Sequence, residues 1–403
     1  MIDPAIFEQP TLGELASRRS AKWTLYPPDV LPAFVAELDV PLAEPIARAL
    51  HEAVARGDTG YAHPTALANA YATFARTRFD WTIDTSCCFA VPDVMVGVVE
   101  ALRVLVRPGD AVAINTPVYA PFFSALDEAG CRRVDVPLRH SHGAYDLDVT
   151  GLEAAFRAGV RAYLLCNPHN PVGRTFSAAT LGDVAQLAAR YGVVVLADEI
   201  HAPLVLAGAR HEPFAKLASA CGARALALVS ASKAWNLAGL KCALVIAGDA
   251  DVAATLARMP KEVRYRVGHF GALAATTAFA EGGPWLDALR AHLDANRRLL
   301  ADLLAAELPE VGYVPPEATY LAWLDCSRLG FTEPAAKAFL RDGRVALSPG
   351  IDFGPGGASH VRLNFGTTRA ILRDIVTRLA RAVYLAREGP NSGRIPCPPR
   401  SRT

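Results

Sequence analysis

The sequence predicts an α/β protein, with a large domain built on a mostly parallel central sheet and a smaller α+β domain following it. Three observations carry this. Between residues 110 and 247 short apolar runs alternate with helical patterns; VVVLAD and ALALVS are apolar on both faces, like strands covered on both sides; and a long amphipathic pattern then leads into shorter strands. In order, the expected strands are DAVAINTPVY from Asp110, RAYLLCN from Arg161, GVVVLADEI from Gly192, RALALVSAS from Arg224 and CALVIA from Cys242, with a crossover helix opening at Ala178. They define a large domain over residues 46–280. The next helix runs from Trp285 to Leu308, sets Leu289, Leu293, Leu300 and Leu304 near one face, and stops at Pro309. TYLAWLD, HVRLNFG and a last amphipathic helix around Ile371 to Tyr384 form the smaller domain, 281–388, against which an N-terminal segment, 1–45, is expected to pack. Residues 389–403, GPNSGRIPCPPRSRT, have no periodicity and read as a disordered tail.

Composition narrows the function. The 41 basic and 40 acidic residues leave no field for a phosphate backbone, so nucleic acid is not expected as a partner. No apolar run reaches the length of a membrane span, and the N-terminus has no basic region followed by an apolar core. The eight cysteines show no metal-binding spacing and read as free thiols of a cytoplasmic protein.

Chemistry is concentrated at the ends of the expected strands, where open α/β sheets place their ligands. Lys233, in SASKAWNLAGLK, follows the run ALALVS. Alone it reads as an amine reaching out from the sheet edge; desolvated or beside a cation, it can act as a Schiff-base nucleophile. Lys241 is the candidate cation, and Ser230 and Ser232 add hydroxyls able to hold a phosphate. Asp198 ends an apolar strand, which is costly for a charge unless a cation or donor meets it; the plain alternative is a helix N-cap. Asn170, in CNPHNPVGRTF, lies in an irregular loop at the same edge and can both donate and accept.

The order NPxNPxG, then DE, then SxSK resembles the pattern of the fold type I pyridoxal-phosphate enzymes, the class I/II aminotransferase-like superfamily, over nearly the whole chain. The resemblance implies the type I transferase fold and pyridoxal 5'-phosphate as cofactor. Lys233 would form the Schiff base, Asp198 pair with the pyridine nitrogen and Asn170 touch the phenolic oxygen. Tyr119, in NTPVYAPF, matches the aromatic that stacks on the ring, and His201, in DEIH, belongs to the same site. Tyr61, in DTGYAHP, matches the tyrosine that reaches the neighbouring subunit's phosphate, which implies a homodimer. Arg362, in HVRLNFGT, matches the arginine that grips the substrate carboxylate, with Asn170 and Tyr320 beside it.

The stretches SAKWTLYPPDVLPAFVAELDV, DEIHAPLVL, SKAWNLAGLK, GGPWLDAL and TYLAWLD are more similar to the cystathionine β-lyase branch, the MalY/PatB group. That implies α,β-elimination from cystathionine or a related cysteine S-conjugate, giving thiol, pyruvate and ammonia. An aminotransferase of broad specificity shares every cofactor residue and remains the alternative; a non-enzymatic interaction protein would be expected to lack Lys233, Asp198 or Arg362.

Some positions depart from the branch pattern. Glu37 and Val40, in AELDV, stand where it has an ADMDF-like stretch. VPDVMVGV replaces a small-residue phosphate loop: the backbone amides of Asp93 and Val94 can still bind phosphate, with the Asp93 side chain facing away. Lys241 stands where many aminotransferases have arginine. The basic run KEVRYRVGHFG, 261–271, is expected at a subunit interface near the cofactor mouth. GPGGAS lacks the third glycine of a dinucleotide loop, RHSHGAYD lacks a third metal ligand, and there is no GxSxG elbow.

Overall fold

The computed structural model describes residues 2–141 and 143–388, so the expected tail at 389–403 lies outside the described residues. Its central sheet contains β1 (Cys88–Val91), β2 (Ala111–Ile114), β3 (Arg132–Asp135), β4 (Ala162–Cys166), β5 (Val194–Asp198), β6 (Ala225–Val229) and β7 (Ala243–Ala247). The seven strands lie in the order β1-β7-β6-β5-β4-β2-β3. All pairings are parallel except those of β7, which runs antiparallel to both β1 and β6. Strands β4, β5, β6 and β7 are buried at every residue, which is why their sequences show no alternation. Strand β3, RRVD, has no apolar run to announce it, and neither it nor β1 is read from the sequence.

Register sets the site. Cys166 pairs with Asp198, and Asp198 with Leu228, so three parallel strands end in one row and hand their following residues to the same edge. The helix α1 (Val94–Leu105) starts at this same edge and packs close against the sheet because Gly97 has no side chain. A Cβ there would stand 3.0 Å from both Leu228 and Val245.

The helix α2 (Gly283–Glu307) opens two residues before the expected start and buries Leu289, Leu293, Leu300 and Leu304, as its pattern requires. It leads to a four-stranded antiparallel sheet of β8 (Gly312–Tyr313), β9 (Leu321–Asp325), β10 (Ser348–Pro349) and β11 (His360–Asn364), in the order β8-β9-β11-β10. The last helix, α3 (Arg369–Glu388), runs longer than expected at both ends.

Residues 31–40 form a strap between the two sheets. Leu31 pairs with Val345, and Asn364 donates its backbone amide to Ala33 and its side chain to the carbonyls of Val35 and Glu37. From the other side Asn236 grips both the amide and the carbonyl of Leu38, at 2.9 and 3.0 Å. Behind the strap, Lys22 makes a buried ion pair with Asp39 at 2.8 Å.

The seven cysteines among the described residues are free, and Cys131, Cys166, Cys242 and Cys326 are buried. No helix of the described residues is long and apolar enough to cross a membrane.

Candidate active site

The row of strand ends opens into a cavity of about 240 Å³. Of the residues expected from the sequence, Asp93, Val94, Tyr119, Asn170, Asp198, His201, Ser230, Ser232, Lys233 and Lys241 all line it.

Lys233 is part-buried, and its Nζ donates to the carbonyl of Ala36 in the strap at 3.2 Å. Burial and then the Arg362 charge lower its pKa to about 8, against the opposing pull of Glu37 and Asp198. A substantial neutral fraction near neutral pH is what a nucleophile or base requires.

Asp198 is buried at the end of β5, and the one hydrogen bond to its carboxylate among the described contacts comes from the Ile200 amide at 3.1 Å. Burial pushes its carboxyl up to about 7, although that amide and Lys233 pull it down. A carboxylate in this state lacks a cation, and a pyridinium N–H would supply one; the residues present fit pyridoxal phosphate. With its pKa raised, Asp198 favours the fold below about pH 4, and the contribution is lost as pH rises through about 7. In cofactor-free protein, Asp198→Asn is therefore expected to gain thermal stability relative to wild type between about pH 5 and 8. Melting curves that shift in parallel across that range would show that no desolvated, unpaired carboxylate is present.

His201 faces the same space, with Nδ1 buried and unpartnered and its ring edge-on to Tyr320. Burial, then the charges of Lys233 and Arg362, lower its pKa to about 3, so it is a neutral imidazole. Tyr119 is kept a neutral phenol by burial.

The NPxNP loop owes its shape to Gly173, at φ +69°, where a Cβ would lie 2.3 Å from Pro316. It delivers Asn170, whose Oδ1 accepts from Arg362 at 3.0 Å. Arg362 stands behind Asn170 rather than in the cavity lining, stacked over Phe353 and donating to Phe34 O and Ser348 Oγ. Its Nε is buried without a partner, and burial lowers its pKa to about 10.

Three placements differ from the expected ones. Tyr320 is behind the cavity, its hydroxyl donating to Ala36 O at 2.9 Å, so it positions the carbonyl that Lys233 also uses. The Ser230 hydroxyl donates to Cys242 O and accepts from the Ser232 amide, tying β6 to β7 rather than presenting a donor to the cavity. Asp93 does not face away: its carboxylate caps α1 through the Val96 amide at 2.9 Å and meets Lys241 Nζ at 3.2 Å. Tyr61, expected at the neighbouring subunit's phosphate, is 88% exposed and lies outside this protomer's cavity, as that expectation requires.

Asn236 and the Ala36 carbonyl are absent from the sequence reading. Asn236 sits in SKAWNLAGLK at φ 58°, a conformation Asn tolerates better than most residues, and that is the one signal that could have marked it.

Residues 43–379 match the family described as aminotransferase class I and II, and the chain belongs to that family of pyridoxal-phosphate-dependent enzymes. Within it the chain belongs with the cystathionine β-lyase, MalY/PatB group. A Mycobacterium tuberculosis protein named "Putative cystathionine beta-lyase" is 48% identical over 407 residues, covering 94% of this chain and 98% of the relative. Cystathionine beta-lyase PatB of Bacillus subtilis is 34% identical, covering 88% and 93%. The PLP-bound C-S lyase from Staphylococcus hominis superposes with a TM-score of 0.85 at 26% identity, covering 91% of this chain and 96% of that one.

Proposed function

We propose that this protein is a pyridoxal-phosphate-dependent carbon–sulfur β-lyase that cleaves cystathionine or related cysteine S-conjugates to a thiol, pyruvate and ammonia. The observation that carries the reading is the cavity shared by an amine with a lowered pKa, Lys233, and a buried carboxylate lacking a cation, Asp198. The kinship with proteins named cystathionine β-lyase selects elimination among the reactions such a site supports.

Arg362 and Asn170, joined at 3.0 Å, hold the substrate carboxylate, and the unpartnered Nε of Arg362 supplies a further donor. Lys233 Nζ leaves the Ala36 carbonyl and takes the proton from the substrate Cα. The cofactor, when bound, supplies the sink for the electrons left at that carbon. The proton on Lys233 Nζ passes to the departing sulfur, and water releases the remaining carbons as pyruvate and ammonia. Tyr119, a neutral phenol in the cavity lining, would cover the ring of the bound cofactor and exclude water.

Incubation with cystathionine and pyridoxal phosphate, without any keto acid, is expected to release thiol and pyruvate in equal amounts. If neither appears until a keto acid is supplied, and a new amino acid then forms, the protein is an aminotransferase.

The working unit in this reading is a homodimer. Tyr61 and Tyr265 are 88% and 67% exposed, and they flank in sequence the contact of His269 with Asp58 at 3.2 Å. This face suits Tyr61 for a partner's cofactor and includes the basic run at 261–271. Sedimentation of the active protein as a monomer would refute it. The free thiols suit the reducing cytoplasm.

A further inference from the structure

The cradle that faces the phosphate contains a carboxylate. Helix α1 starts at Asp93, and the amides of Val94 and Met95, in its first turn, have no acceptor among the described residues. These amides, the Ser232 hydroxyl and Lys241 are the donors that a phosphate can reach from the cavity. Lys241 is the cation among them, held at φ 57° just before β7, and its Nζ is already 3.2 Å from Asp93 Oδ2. The other oxygen of Asp93 accepts from the Val96 amide at 2.9 Å, which fixes the carboxylate beside the free amides.

The cap does not require this charge, because Asn caps a helix about as well as Asp. Yet a charged group here must share the donors with a phosphate that carries about two negative charges. On the reading that the cofactor is pyridoxal phosphate, we propose that Asp93 is a built-in competitor for the cofactor's phosphate, with Lys241 shared between the two anions. The cofactor is thereby held less tightly than the donors alone would hold it and is able to exchange. The Lys241 and Asp93 side chains are 60% and 35% exposed, so solvent moderates the repulsion.

The test uses the full-length protein stripped of cofactor and titrated with pyridoxal phosphate, with unphosphorylated pyridoxal, and with inorganic phosphate as competitor, all followed by absorbance. Asp93→Asn is expected to lower the Kd for pyridoxal phosphate by about tenfold and to strengthen inhibition by inorganic phosphate in parallel. The Kd for pyridoxal is expected to stay the same. Asp93→Ser, another good cap, is expected to act in the same direction. Lys241→Ala is expected to weaken pyridoxal phosphate more in wild type than in the Asp93→Asn background, since in wild type it also exposes the carboxylate. Unchanged or weaker binding by both Asp93 variants overturns the proposal, as does an equal gain for pyridoxal. If wild type and variants alike fail to take up pyridoxal phosphate through Lys233, the cofactor reading itself has failed, an outcome distinct from unaltered affinity.

Discussion

Replacing Lys233 with alanine is expected to reduce elimination by at least about a thousandfold and to abolish the borohydride-reducible link to pyridoxal phosphate. Two amines line the cavity, and only one suits the task. Lys233 is desolvated, with its pKa lowered to about 8. Lys241 is 60% exposed and paired with Asp93, so its amine is solvated and engaged. Arginine at 233 is not expected to restore turnover, because a guanidinium stays protonated and is no base. The measurement is pyruvate release together with the mass of the reduced protein. A Lys233→Ala protein that keeps a tenth of wild-type turnover would move the base elsewhere, with Lys241 the next candidate.

The second large effect is one of stability. Lys22→Met is expected to destabilise the protein by about 3–5 kcal/mol, because it leaves Asp39 charged and buried. Asp39 has little in reserve: one carboxylate oxygen already lacks a partner, and the other is the one Lys22 meets at 2.8 Å. Lys22→Met combined with Asp39→Leu is expected to recover most of the loss, since an apolar pair of similar volume carries no desolvation cost. Urea unfolding of the two single variants and the double variant gives the comparison. If the double variant is as unstable as Lys22→Met, the loss comes from packing around Lys22 in the short helix Ala21–Thr24 rather than from an orphaned charge. The pair also bears on the site, because Lys22 Nζ donates to Glu37 O, next to the carbonyl that Lys233 contacts.

Lys233, Asp198 and Asn170 were legible in the sequence because each ends or follows a fully buried strand, and a charged or amide group in that position must have a partner. The partners were harder to read. Ala36 binds Lys233 and Tyr320 through its carbonyl, and a backbone group has no signature in a sequence. Arg362 was expected in the substrate site, but its place behind Asn170 depends on a loop 192 residues away. Ser230 and Asp93 were misplaced for a common reason: a short polar side chain beside free backbone groups bonds locally first. Strand β3 went unread because an edge strand that opens on two exposed arginines carries no alternation.

The strap at residues 31–40 has a consequence for biosynthesis. Phe34 and Val35 bind Arg362 and Asn364, 328 and 329 residues further along. At about 5–20 residues per second, a ribosome takes between about 15 s and a minute to make the stretch between them. During that time Ala36 has no fixed place and Lys233, once made, has no resting partner, so the nascent chain holds this amine without the chamber around it. The chamber closes only when one of the first segments synthesised meets one of the last.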